Sequence, residues 1–248
     1  MNIGIIGGSG LEKSDILSQV KEIIIDTDLG KVPGLSAKFK TIDLTIILRH
    51  GVKHNITPSD VNYRANIAAL HECKCDFIIA TSACGSLREE FAPGDIVIID
   101  QFIDWTKGRK NTFYSKFEDN NPKHVPMGDP FDSKLREKLI ICAQNNKIKC
   151  HTHGTMISIE GPRFSTRAES KMFKSFGADL INMTIATEAP LAKELDIPYA
   201  VIALVTDYDS WREGTQVTWA QIESTFKQNV SKATKILISL VEMLENEI

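Results

Sequence analysis

Four clusters of residues that could do chemistry stand where apolar, β-branched runs of this sequence stop. Ile3 to Ile6 leads into Gly7-Gly8-Ser9-Gly10, and Thr41 to Leu48 into Arg49-His50-Gly51-Val52-Lys53-His54. Phe77 to Ala80 leads into Thr81-Ser82-Ala83-Cys84-Gly85-Ser86-Leu87, and Tyr199 to Val205 into Thr206-Asp207-Tyr208-Asp209. The first three can hold phosphate. Glycine lets backbone N–H groups approach an anion, arginine forks onto phosphate oxygens, and histidine donates or exchanges a proton. The fourth is acidic. Asp207 and Asp209, one residue apart on a strand, point the same way, so one of them can be raised in pKa and keep a proton to donate. Anion donors facing a protonatable carboxylate suit displacement of a leaving group by phosphate. Each cluster also has a plainer reading taken alone: a glycine turn, a solvated basic turn, a helix cap.

The stretch from Thr155 to Thr184 must position much of this. Thr155 to Ile159 alternates as a strand should and is stopped by Gly161-Pro162. Thr166 can cap a helix, with Glu169 three residues on completing a capping box and Ala168, Met172, Phe173 and Phe176 as its apolar face. Gly177 closes that helix. Leu180 and Ile181 start another strand, which delivers Asn182-Met183-Thr184 to its carboxyl end, the edge where open α/β sheets collect ligand groups. Thr184 adds a hydroxyl donor there.

The remaining pattern alternates strands with helices. Ile23 to Asp26 reads as a strand, Gly30 to Gly34 as a turn, Tyr63 to Leu70 as a helix, and Gly94 to Asp104 as a turn followed by one strand. Trp105 to Lys123 has no periodicity and reads as a long surface loop, ended by His124-Val125-Pro126-Met127. Lys134 to Asn145 is an amphipathic helix and Cys150 to Ile159 a strand. Glu188 to Leu195 is a helix with Pro190 in its first turn, and Trp219 to Glu247 is the closing helix. There is no repeat and no low-complexity linker, which is the signature of an α/β domain.

Composition narrows the function classes. In 248 residues, 42% are hydrophobic and 25% charged, as in a globule with a sizeable core, and one domain over residues 1–248 is expected. With 29 basic and 32 acidic residues the net charge is -3, so no overall field favours nucleic acid or a membrane surface, and any anion must be held locally. No signal peptide or spanning run is present, and the sequence reads as that of a cytoplasmic protein. The five cysteines, Cys73, Cys75, Cys84, Cys142 and Cys150, are odd in number and scattered, which predicts free thiols. Cys150-His151-Thr152-His153 offers only one cysteine, and no metal site is expected.

Taken together, Gly4 to Gly10, Arg49-His50-Gly51, Tyr63 to Asn66, Ala83 to Leu87, Pro93-Gly94-Asp95, Glu160 to Glu169, Asn182-Met183-Thr184 and Thr206 to Asp209 resemble the trimeric purine nucleoside phosphorylases, above all their methylthioadenosine-cleaving branch. The likeness runs from residue 3 to about 240. It implies a single α/β phosphorylase domain, three-layered around a mixed, partly barrel-like sheet. It implies a homotrimer, or a dimer of trimers, with each site near a subunit boundary. Inorganic phosphate would be a co-substrate, with no metal or organic cofactor. By matching position, Ser9, Arg49, His50, Ala83 and Thr184 would bind phosphate. Met183 would lie under the ribose and bond its 2′-hydroxyl through its backbone, and Asn182 would neighbour sugar and base. Asp207 and Asp209 would meet the N7 and 6-amino edge of adenine, with Asp207 as the acid. His124 would cover the 5′ group from a neighbouring subunit, and residues 214 to 219 would form the other wall, with Trp219 shaping the 5′ pocket or simply filling core.

In relatives that take 6-oxopurines, a glutamate follows the phenylalanine of the Gly-Pro motif and an asparagine replaces the first acidic residue of the later cluster. Here those positions are Ser165 and Asp207. A carboxylate accepts from a 6-amino group but opposes a 6-oxo group, so adenine is favoured, and a polar site of this kind can reject the mispaired base by about 10⁴. Rival readings are a broader purine nucleoside phosphorylase, a hydrolytic nucleosidase, a nucleoside-binding protein without turnover, and a dinucleotide module. The glycine loop has the wrong spacing for the last.

Overall fold

The computed structural model describes residues 1–7, 17–213 and 219–247. Among them lie eleven strands and five helices. The strands are β1 (Asn2–Ile6), β2 (Ser18–Thr27), β3 (Gly30–Phe39), β4 (Ile42–Ile47), β5 (Phe77–Ser86), β6 (Ile96–Ile98), β7 (Gln101–Trp105), β8 (Cys150–His151), β9 (Thr155–Ile159), β10 (Leu180–Asn182) and β11 (Tyr199–Tyr208). The helices are α1 (Tyr63–Glu72), α2 (Ser133–Asn145), α3 (Arg167–Ser175), α4 (Ile185–Glu194) and α5 (Trp219–Glu245).

All the strands join one mixed sheet, whose main path is β2-β3-β4-β1-β5-β10-β9-β7. It forks at β5. This strand pairs parallel with β1, antiparallel with β10 near its end, and parallel with β11 from Ile78 to Ser86. β11 carries β6, which carries β8. Apolar residues of α1 and α4 pack in one buried cluster with Ile6, Ile78 and Val201, while α2 and α5 pack in a second with Ile3, Ile79 and Ile202. Neighbouring strand residues thus face opposite layers, and the mixed sheet is covered on both faces as such sheets require.

Local chemistry sets the boundaries. The Asn62 side chain accepts from Ala65 N–H at 3.1 Å to start α1, and Asp132 does the same for Leu135 at 2.8 Å in α2. At α3 the expected capping box forms in full: Thr166 Oγ1 accepts from Glu169 N–H, and Glu169 accepts from Thr166 N–H. Gly177, at φ +91°, closes the helix. Of its expected apolar face, Phe173 is buried, but Ala168 and Phe176 are exposed.

Five expectations are corrected. Gly30 to Gly34 is not a turn but the first half of β3. The β3–β4 ladder begins only at Gly34, so Pro33 lies where β3 is paired on one side alone and its missing N–H is tolerated. Thr81 to Ser86 continues β5, paired with β11 along its length and with β10 at Gly85 and Ser86. Gly94 to Asp104 holds two strands, β6 and β7, which pair in different parts of the sheet. Cys150 to Ile159 likewise divides into β8 and β9. Finally, α4 begins a turn earlier than expected, at Ile185, so Pro190 sits inside it.

Candidate active site

The carboxyl ends of β1, β4, β5, β10 and β11 meet, and the residues brought together are those whose chemistry stood out. β1 pairs parallel with both β4 and β5, so Gly7 emerges between Arg49 and Thr81. A side chain at Gly7 would come within 2.6 Å of Thr81 Oγ1 and 3.4 Å of an Arg49 terminal nitrogen, and its φ of +119° also favours glycine. The backbone can therefore pass close to the guanidinium.

Arg49 is buried, and its charge is answered by a residue sequence reasoning had treated only as the start of a helix. Glu188, fully buried in α4, grips Arg49 through both carboxylate oxygens, one bonded to Nε and the other to Nη2 at 2.9 Å. Tyr199 donates its hydroxyl to the same carboxylate at 2.7 Å, and Arg49 Nη1 donates to the Thr81 carbonyl at 2.9 Å. Burial alone would weaken the protonation of Arg49. The Glu188 carboxylate more than reverses that and lifts its pKa above the ordinary value.

His50 is neutral at physiological pH. Burial first, and then the Arg49 charge, push its pKa down to about 4. Its Nδ1 lies 2.9 Å from the Ile56 carbonyl, which can only accept, so Nδ1 carries the proton and Nε2 the lone pair.

Thr184 caps α4 without a side-chain bond, and its hydroxyl is buried with no partner among the described residues. Such a group costs about 1–3 kcal/mol unless something answers it. It lies four residues before Glu188, on the same side of the helix, at an N-terminus whose N–H groups and dipole favour an anion. Asn182 is held at both ends: its amide donates to Ser82 Oγ at 3.0 Å and its oxygen accepts from Ser158 Oγ. Ser158 Oγ in turn accepts from Ala186 N–H at 3.0 Å, which fixes α4 against β9. Met183 packs against Gly161, where a side chain would meet its sulfur at 2.5 Å.

The acidic pair stands opposite. Asp207 follows a bulge in β11, which turns it towards Gly85, where an added Cβ would lie 3.4 Å from Asp207 Oδ2 and 3.4 Å from Asp209 Cβ. Asp207 accepts from Thr206 Oγ1 at 2.6 Å. Burial, with a further push from Asp209, raises its pKa to about 6. Asp209 is buried and accepts a short bond from Ser165 Oγ. A glutamate at 165 would set a third carboxylate against it. One end of the site can thus hold an oxyanion and the other can keep a proton near neutral pH.

This arrangement has relatives. The family model for the phosphorylase superfamily matches residues 2–242. The S-methyl-5'-thioadenosine phosphorylase of Danio rerio is 49% identical, covering 98% of this chain and 89% of its own. The chain belongs to the S-methyl-5'-thioadenosine phosphorylase family. Among solved structures, methylthioadenosine phosphorylase from Schistosoma mansoni in complex with adenine superposes with a TM-score of 0.92 at 37% identity, over 99% of this chain and 92% of that one. A mutant of the Schistosoma adenosine/methylthioadenosine phosphorylase in complex with methylthioadenosine gives 0.91 at 36% identity, over 100% and 93%.

Of the residues expected at a family site, Arg49, His50, Ala83, Ser165, Asn182, Met183, Thr184, Asp207 and Asp209 stand at the converging strand ends or bond directly to residues there. Ser9 and residues 214 to 218 lie outside the described residues, and Trp219 is described only as the first residue of α5. His124 is exposed and packs edge-on against Phe117 at 5.1 Å, in the long segment that follows β7. Sequence reasoning missed the residues that hold the site: Glu188 and Tyr199 behind Arg49, and Glu160, Tyr63 and Arg109 beside Met183. Arg109 bonds Glu160 and the Tyr63 hydroxyl, each at 2.6 Å, and Tyr63 lies 3.5 Å from the Met183 carbonyl. No periodic signal marks such partners, because they are distant in sequence. The described residues contain no cluster able to hold a metal ion and no helix long and apolar enough to cross a membrane.

Proposed function

We propose that this protein cleaves S-methyl-5'-thioadenosine by phosphorolysis, giving adenine and 5-methylthioribose 1-phosphate, with inorganic phosphate as co-substrate and no metal or organic cofactor. The observation that carries the reading is the pairing of a buried oxyanion cradle with a carboxyl whose pKa burial lifts towards neutrality. Arg49, His50, Ala83, Thr184 and, by resemblance, Ser9 bind phosphate. Met183 and Asn182 lie at the sugar, and Asp207, Asp209 and Ser165 at the base.

The bond from C1′ to N9 stretches first and leaves a cationic sugar. The negative charge of phosphate stabilises it and a phosphate oxygen then bonds to C1′. The N9 electron pair goes to adenine, a poor leaving group as an anion, and the Asp207 proton passes to N7 so that neutral adenine departs. With a pKa of about 6, roughly a tenth of Asp207 is protonated at pH 7. General acid catalysis of this kind is worth roughly 10²- to 10⁴-fold. Asp209, tied to Ser165, accepts from the 6-amino group.

We also propose a homotrimer, or a dimer of trimers, with His124 entering a neighbour's site. The side chains of Trp105, Phe164 and Phe176, 39%, 47% and 50% exposed in the single chain, support a buried interface. Light scattering should give three or six times the 27.6 kDa chain mass, and a monomer would contradict this part of the proposal.

The test is release of free base from methylthioadenosine, adenosine, 5′-deoxyadenosine and inosine, with and without phosphate. Phosphate-dependent adenine release, fastest from methylthioadenosine, is expected. Fast turnover of inosine would make the protein a broader purine nucleoside phosphorylase, and a phosphate-independent rate would make it a nucleosidase.

A further inference from the structure

The Arg49 guanidinium has five N–H donors, and the fold consumes three of them: Nε and one on Nη2 go to Glu188, and one on Nη1 goes to the Thr81 carbonyl. Among the described residues nothing takes the other two, one on each terminal nitrogen, and Nη1 faces the backbone at Gly7. Glu188 occupies the side of the fork and leaves the terminal nitrogens to a ligand. Its own carboxylate is fixed from behind by the Tyr199 hydroxyl at 2.7 Å. Glu188 in α4 and Thr184 at its cap, about one helical turn apart, tie the arginine and a hydroxyl that has no partner among the described residues to a single element. A buried ion pair of this kind contributes little to stability compared with an apolar replacement, because desolvating both charges offsets their attraction. Its geometry does something that apolar packing cannot: it holds a flexible cation in one orientation.

We infer that Glu188 is a positioning residue for the phosphate co-substrate, acting through Arg49 with Tyr199 as its support. Glu188 does not touch phosphate. It aims the last two N–H groups of Arg49 at the anion and prevents the guanidinium from turning its side edge to the ligand. The inference rests on the phosphorolysis reading, and goes beyond it in assigning the setting of phosphate affinity to a residue behind the site.

Steady-state kinetics of wild type, Glu188→Gln and Tyr199→Phe, varying phosphate and nucleoside separately, test this. The amide of Glu188→Gln has the size of the carboxylate but can accept at one atom only, so one of the two Arg49 bonds is lost. The KM for phosphate should rise about tenfold or more, while the KM for nucleoside stays within about twofold. Tyr199→Phe, which leaves the ion pair in place, should move the phosphate KM in the same direction by about threefold. If the pair is merely structural, melting temperature and yield fall but the folded fraction keeps its phosphate KM; that result overturns the inference. Should Glu188→Gln fail to fold, Tyr199→Phe decides: an unchanged phosphate KM there also overturns it. A wild-type enzyme that releases base without phosphate would instead overturn the underlying reading, and the two failures are separable.

Discussion

Replacing Asp207 by asparagine should make the protein more stable and less active, and the stability gain should depend on pH. Asp207 titrates near 6 in the folded chain against an ordinary 3.8. The shift is about two pH units, and at about 1.4 kcal/mol per unit the ionised carboxylate costs the fold up to about 3 kcal/mol. The sign follows from which state holds the proton. Between pH 3.8 and about 6 the folded chain binds it more tightly than the unfolded chain, so the contribution of Asp207 to stability falls as pH rises through that window. Above it the full cost remains. Asparagine cannot ionise, and its side-chain oxygen can still accept from Thr206 Oγ1. Urea unfolding of both proteins at pH 4, 6 and 8, at matched concentration because assembly adds to stability, should show Asp207→Asn ahead by about 1–3 kcal/mol at pH 8. At pH 4 the difference should shrink to within about 0.5 kcal/mol. A constant difference across this range, or a less stable variant at pH 8, would refute the assignment of a strained, proton-holding carboxyl. Activity on adenine nucleosides should fall by about 10²-fold or more in the same variant.

The same substitution should shift relative rates from adenosine towards inosine, since an amide can donate to a 6-oxopurine; unchanged ratios would remove Asp207 from base recognition. Thr184→Val should leave the melting temperature unchanged or raise it by a few degrees, because the buried hydroxyl bonds nothing among the described residues, yet raise the phosphate KM about tenfold. A large loss of stability with unaltered KM would contradict the role of that hydroxyl. Gly85→Ala should depress turnover of adenine nucleosides, because the new methyl lies 3.1 Å from Ile181 Cγ2 and 3.4 Å from Asp207 Oδ2; wild-type rates would show that the carboxylates have room to spare. Glu160 is held well below the usual carboxylate range, at about 2. Burial opposes this, but bonds from the Lys107 and Gly108 N–H groups and from Arg109 outweigh it. Its contribution to stability is present above pH 4.5 and lost as pH falls towards 2, so acid should loosen the segment after β7 there, visible as lower amide protection at Lys107 and Gly108 relative to the intrinsic rate at each pH. Protection unchanged down to pH 2 would contradict this hold of Glu160 on the segment.

The strand ends were legible because the sheet repeats one event: an apolar run stops and glycine, hydroxyl or charge follows. That pattern put Arg49, Asn182, Thr184 and Asp207 at strand ends, and they stand at or near the ends of β4, β10 and β11; the capping box at Thr166 and Glu169 was equally local. Glycine and proline misled at β3, where Pro33 is tolerated only because β4 ends before reaching it. Thr81 to Ser86 is small and polar after an apolar run, yet it continues the strand, paired with β11 along its length and with β10 at Gly85 and Ser86. The partners of the site were invisible for another reason. Arg49 and Glu188 lie 139 residues apart and Ser165 and Asp209 lie 44 apart, and only the folded sheet brings them into contact.

Phosphate, held at these strand ends, is proposed to give an oxygen to the sugar as the base leaves. Phosphorus NMR of a reaction of methylthioadenosine with inorganic phosphate tests it most directly. A sugar 1-phosphate resonance growing one for one with free adenine is expected, and none from an Arg49→Met variant at the same phosphate concentration. Adenine appearing with free sugar and an unchanged inorganic phosphate signal would contradict it.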